Sequence, residues 1–96
     1  MENLKVIFRK SKNPYTNEYE VVAFFPESSA NYGKIESYMH IGQHCESSVD
    51  FYHSTTKATP DEYAELLSEL KGIYNDVNLR VMQRLNYKDL YKAWKN

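Results

Sequence analysis

Ile35-Glu36-Ser37-Tyr38-Met39-His40-Ile41-Gly42-Gln43-His44-Cys45 is the stretch whose reading decides the fold, because it holds two of the three histidines and the only cysteine. On a helix, His40 and His44 would share a face within reach of one zinc ion. On a strand they stand roughly 13 Å apart at about 3.3 Å per residue, too far for one ion without a bulge at Gly42. The stretch reads as a strand of a small sheet. Ile35, Met39 and Ile41 are then expected to face a helix, and Tyr38, His40 and His44 to line the other face. Cys45 adjoins His44, but neighbouring strand residues point to opposite faces, which argues against a paired nucleophile and base. Only His53 and scattered acids remain to complete a metal site, and there is no paired-cysteine spacing. No catalytic residue, metal ligand or cofactor site is expected.

Working outward, Leu4-Lys-Val-Ile-Phe-Arg-Lys10 alternates Leu4, Val6 and Phe8 against Lys5 and Arg9, the period of a half-buried strand. Turn chemistry around Pro14 follows. Glu18 to Phe25 is a second strand ending at Pro26, and its run Val21 to Phe25 is apolar on both parities, as where both faces of a sheet are covered. Glu46 to Ala58 has no clear period and reads as irregular or briefly extended around Val49 to Tyr52. Thr59-Pro60-Asp61-Glu62 then carries an N-cap, a proline at the first helical position and an acid three residues after the cap. A helix begins at Pro60, with Tyr63, Leu66, Leu67 and Leu70 on one stripe. Leu79 to Leu85 alternates again as a fourth strand, and Tyr87, Leu90, Tyr91 and Trp94 recur at i, i+3, i+4 and i+7 as a short basic amphipathic helix.

The expected fold is therefore one α+β domain over 1–96, in the order β-β-β-α-β-α. Its mixed four-stranded sheet has the order 4-1-2-3, with strand 4 parallel to strand 1 and the main helix on one face. Residues 86–96 form a C-terminal helical appendage. Such an arrangement brings Arg80 and Arg84 near Lys5 and Arg9.

Net charge is −1, but residues 1–12 carry +3, residues 13–76 carry −8 and residues 77–96 carry +4. The ends are basic and the middle acidic. Nine tyrosines in 96 residues fit either an aromatic core rim or a surface suited to a partner. No apolar run approaches the roughly 18 residues of a membrane helix, and the first residues lack the pattern of a secretory signal. With a single cysteine, the expected compartment is the reducing cytoplasm, away from membranes.

Val6-Ile-Phe-Arg-Lys10, Val22-Ala-Phe-Phe-Pro-Glu27, Ser37-Tyr-Met-His-Ile-Gly-Gln-His44 and Ala58-Thr-Pro-Asp-Glu-Tyr-Ala64 together resemble small uncharacterised proteins from phages and mobile elements of gut bacteria. The Ser-Tyr-Met-His-x-Gly-Gln-His core is the specific part, and the resemblance covers about residues 4–85. It implies a bacterial or phage origin and an accessory role, and it carries over no functional residue.

Two function classes stand ahead of an enzyme. In the first, the chain acts through protein contact or self-association, using an uncovered sheet face with Phe24, Tyr38, His40, His44 and Met82, joined by Ile7 and Val22. Tyr87, Leu90, Tyr91 and Trp94 then either serve as a partner helix or pack onto that face within the monomer. In the second, it is a nucleic-acid-binding accessory protein using Lys5, Arg9, Arg80 and Arg84, with Tyr19, Phe24, Tyr38 and His40 as stacking groups.

Overall fold

A computed structural model describes residues 2–39 and 43–94. The chain forms β1 (Glu2–Lys12), β2 (Tyr19–Phe25), β3 (Lys34–Met39), β4 (Gln43–Ser48), α1 (Val49–Ser54), β5 (Thr56–Lys57), α2 (Pro60–Ile73), β6 (Val77–Met82) and α3 (Tyr87–Trp94). Strands β4, β3, β2 and β1 pair antiparallel in that spatial order. The remaining edge of β1 is shared. Its first half runs parallel to β6, from Glu2 opposite Val77 to Ile7 opposite Met82, and its second half pairs antiparallel with β5 at Arg9 and Lys10. An eleven-residue β1 is long enough to hold both.

The expected four-stranded sheet of order 4-1-2-3 is thus corrected to a six-stranded one. The stretch read as a single strand from Ile35 to Cys45 is two antiparallel strands, with Tyr38 opposite His44 and Met39 opposite Gln43. His40, Ile41 and Gly42, on which the bulge reading turned, lie outside the described residues, as do Lys95 and Asn96 of the expected C-terminal appendage. The segment read as irregular contains α1, capped by the Ser48 hydroxyl, which accepts from the Phe51 amide at 3.0 Å, and β5.

Two apolar layers sandwich the sheet. On one face, Val6 and Phe8 of β1, Ala23 and Phe25 of β2 and Tyr38 of β3 meet Leu66 and Leu70 of α2. The Phe8 and Tyr63 rings stack there at 4.3 Å. On the other face, Ile7, Val22, Phe24 and Ile35 are covered by Tyr52 of α1 and Leu90 of α3, with Phe51, Met82 and Trp94 around them. β2 is buried on both sides at Val22 to Phe25, which is why that run is apolar on both parities.

Strand register decides which side chain meets which helix. Phe24 pairs with Ser37 and Ala23 with Tyr38, so Phe24 and Tyr38 face opposite layers. Ile35 turns toward α1 and α3 rather than toward the main helix as expected, Tyr38 turns toward α2, and Met39 at the strand end borders both the α1/α3 layer and the cleft beside α2.

α2 carries the expected capping box. The Glu62 amide donates to the Thr59 hydroxyl, and the Thr59 amide donates to the Glu62 carboxylate at 2.8 Å. Gly33, at φ +80° in the turn before β3, adopts a conformation that favours glycine. Its carbonyl accepts from the Val49 amide at 3.1 Å and ties the start of α1 to the sheet.

Candidate interaction surface

α3 has its buried side at Leu90 and Ala93. The Trp94 indole N–H donates to the Lys34 carbonyl at 2.7 Å, anchoring the helix end to the start of β3. Lys5 on β1 reaches Asp89 at 3.0 Å. With these contacts fixed, Tyr87 and Tyr91 are left on the outer side, 41% and 55% exposed. Of the two expected roles of this helix, packing onto the sheet within the monomer is the one seen for Leu90 and Trp94, and only its outer face is available.

That face belongs to a longer run of rings. Tyr32, 85% exposed, lies 5.0 Å from Trp94, Trp94 lies 5.7 Å from Tyr91, Tyr91 lies 6.4 Å from Tyr87, and Tyr87 stacks near His53 of α1 at 6.1 Å. The Tyr87 hydroxyl and His53 Nε2 share a hydrogen bond of 2.5 Å. Three segments distant in sequence thus build one aromatic surface, with Lys88 and Lys92 exposed on the same helix. Sequence reasoning missed Tyr32 and His53. The single hint was a tyrosine beside a turn glycine in a polar connection, where no core is available to it.

The expected binding face of Phe24, Tyr38, His40, His44 and Met82 does not exist as one surface. Phe24 is buried under α1 and α3, and Met82 is half-buried in the same layer. Tyr38 is buried under α2, where its hydroxyl donates to the Glu69 carboxylate. His44 is exposed on the α2 side, and His40 lies outside the described residues.

Of the expected nucleic-acid contacts, Lys5 stands in register with Arg80 on the α3 side and is paired with Asp89. Arg9 is turned to other work: it donates to the Thr55 hydroxyl at 3.0 Å and the Thr55 carbonyl at 2.6 Å, and lies over the Tyr52 ring at 4.9 Å. Arg80 and Arg84 are exposed.

The densest titratable cluster surrounds His44. Its Nε2 shares a 2.6 Å hydrogen bond with the Tyr74 hydroxyl, and its ring packs near Tyr38 and Phe25. Partial burial lifts the Glu36 carboxyl above its usual range; charged His44 opposes the shift and Glu46 adds to it. Burial also lifts the Tyr74 phenol, with Glu36 adding. The Tyr74–His44 hydrogen bond holds the cluster together. It ties β4 to the end of α2. Cys45 is exposed on the other face of β4, beside the Ser37 hydroxyl at 3.4 Å, apart from His44. Among the described residues, no group of three or more His, Cys, Asp or Glu is placed to hold a metal ion, and no helix is long and apolar enough to cross a membrane.

A cleft of about 410 Å³ lies between α2 and the ends of β2 and β3, lined by Tyr19, Val21, Met39 and Leu66 with Glu20, Glu62 and Glu65. Its volume falls in the range of roughly 300–1,000 Å³ usual for ligand pockets. No family model matches this chain, and no curated protein or solved structure matches it either.

Proposed function

We propose that the chain is a small binding domain that engages a protein partner through the aromatic surface of Tyr32, Trp94, Tyr91 and Tyr87, in an accessory role in a phage or mobile-element setting. The observation that carries this reading is the continuity of those rings at 5.0 to 6.4 Å with two of them more than half exposed. Tyrosine and tryptophan are the side chains that dominate protein interfaces, because they bring large area with few rotatable bonds and a polar tip. Isolated exposed tyrosines need no explanation, but a connected run drawn from two segments distant in the chain does.

Parallel affinity capture from native host cells, with the wild type and with Tyr32→Ala/Tyr91→Ala, tests the reading. Loss of two anchors is expected to reduce capture of a specific partner by about tenfold or more. An identical set of proteins on both baits sinks it.

The second reading, nucleic-acid binding, is supported by the register that sets Arg80 beside Lys5 and by exposed Arg84, Lys88 and Lys92 near stacking rings. It ranks lower because Lys5 and Arg9 are engaged within the fold. Trp94 is the only tryptophan, so salt-sensitive quenching of its fluorescence by a single-stranded oligonucleotide, without protein capture, would transfer the surface to this reading.

A further inference from the structure

The two surfaces just described are complementary. The cleft has an apolar floor and three acids along its edge; Glu62 is paired with Lys10 at 2.7 Å, which leaves exposed Glu20 and Glu65, in no ion pair among the described residues, as the carboxylates open to a partner. Glu65 continues an acidic side of α2 that includes exposed Asp61, while Glu69 on the same helix accepts from the buried Tyr38 hydroxyl. One wall already recognises an ammonium group, since Lys10 lies 5.0 Å from the Tyr19 ring centre and 2.7 Å from Glu62. Across the sheet, the outer side of α3 presents the Tyr87 and Tyr91 rings with exposed Lys88 and Lys92, while its one acid, Asp89, is neutralised by Lys5. A ridge of aromatic rings flanked by ammonium groups is what an apolar cleft edged by carboxylates would select.

We propose that the occupant of the cleft is the α3 ridge of a second copy of this chain. This rests on the reading of α3 as the binding surface and names the partner. A molecule cannot fill its own cleft, because α2 and α3 lie on opposite faces of the same sheet. The contact therefore joins two different patches, and copies add head to tail until a ring closes or a chain grows.

Sedimentation velocity of the intact chain over a wide concentration range tests this. The weight-average mass is expected to rise above the 11.3 kDa of one chain and to fall back as salt screens the charges. Lys88→Glu/Lys92→Glu and Glu20→Lys/Glu65→Lys should each weaken association by about tenfold or more, since like charges then meet. All four side chains are exposed, and circular dichroism checks that both variants are folded.

Mixed together, the two variants should associate again, because each ridge then finds a cleft of opposite sign. Tyr91→Ala, which leaves every charge in place, should weaken association as well. A wild type that stays at one chain's mass at every concentration overturns the proposal, as does a mixture that stays at that mass. Either result leaves the aromatic-surface reading to be decided by the capture experiment, which scores a different partner.

Discussion

Glu36 sits on the α2 side of β3 with Glu46 opposite it on β4, where burial raises its carboxyl pKa and charged His44 only partly offsets the effect. Between its ordinary value and its raised value, the folded chain keeps a proton that the unfolded chain releases. Stability therefore falls as pH rises through that window, and above it the ionised carboxylate is a standing penalty. Glu36→Gln removes the group that titrates. Its melting temperature should exceed that of the wild type at pH 7, with the gap closing as pH drops below the usual carboxylate range. Thermal scans at both ends of the range check this, and a gap independent of pH would mean that the raised pKa is not its source. At this scale the sequence was legible in chemistry and illegible in placement. The side chains of His44 and Cys45 could be assigned to opposite faces from strand alternation alone. Which face Tyr38 or Phe24 would take depends on a pairing register that no local pattern records.

Among the elements, α3 shows how far periodicity carries. The spacing of Tyr87, Leu90, Tyr91 and Trp94 marks a helix with one apolar stripe, and the helix is present. Its buried residues are Leu90 and Ala93, however, because the Trp94 and Asp89 contacts rotate the helix so that the two tyrosines turn outward. A stripe that is too wide to bury leaves its surplus as surface. Leu90→Ala is expected to destabilise the domain by about 2–5 kcal/mol, the usual range for emptying a buried leucine site, whereas Lys92→Ala on the exposed side should stay within about 0.5 kcal/mol. Urea unfolding of the two variants separates these outcomes, and equal small effects would show that α3 is not seated. The start and apolar stripe of α2 were legible from its cap, proline and leucines, while its end, at Ile73 with Tyr74 as C-cap, was not fixed by Gly72 or by any stop signal in the sequence. The six residues of α1 are too few to show a period, so its one signal was Ser48 as N-cap with Asp50 in the first turn.

At the scale of the whole molecule, the sheet separates two cores, one under α2 and one under α1 and α3. β4 and β5 escaped the sequence reading because β4 is polar at Gln43, His44, Glu46, Ser47 and Ser48 and β5 has two residues. The second face, which the sequence reading left open unless the C-terminal helix covered it, is closed at β2 by α1 and α3. This division makes a specific demand on stability. Leu70 is buried in the first core and Leu90 in the second, and they share no partner within either cluster. Changes at sites without shared partners usually add to within about 0.5 kcal/mol. The Leu70→Ala/Leu90→Ala double variant should therefore lose the sum of the two single losses. Because small domains hold only about 5–15 kcal/mol in total, the comparison needs a background strengthened by sulfate or an osmolyte, which favours burial without touching either site. A coupling beyond about 1 kcal/mol would mean that strain passes through the β1 and β2 backbones, whose adjacent residues Ile7 and Phe8, or Phe24 and Phe25, belong to opposite cores. An additive result would instead establish the sheet as a rigid partition, and a rigid partition can hold an acidic cleft and a basic ridge facing away from each other.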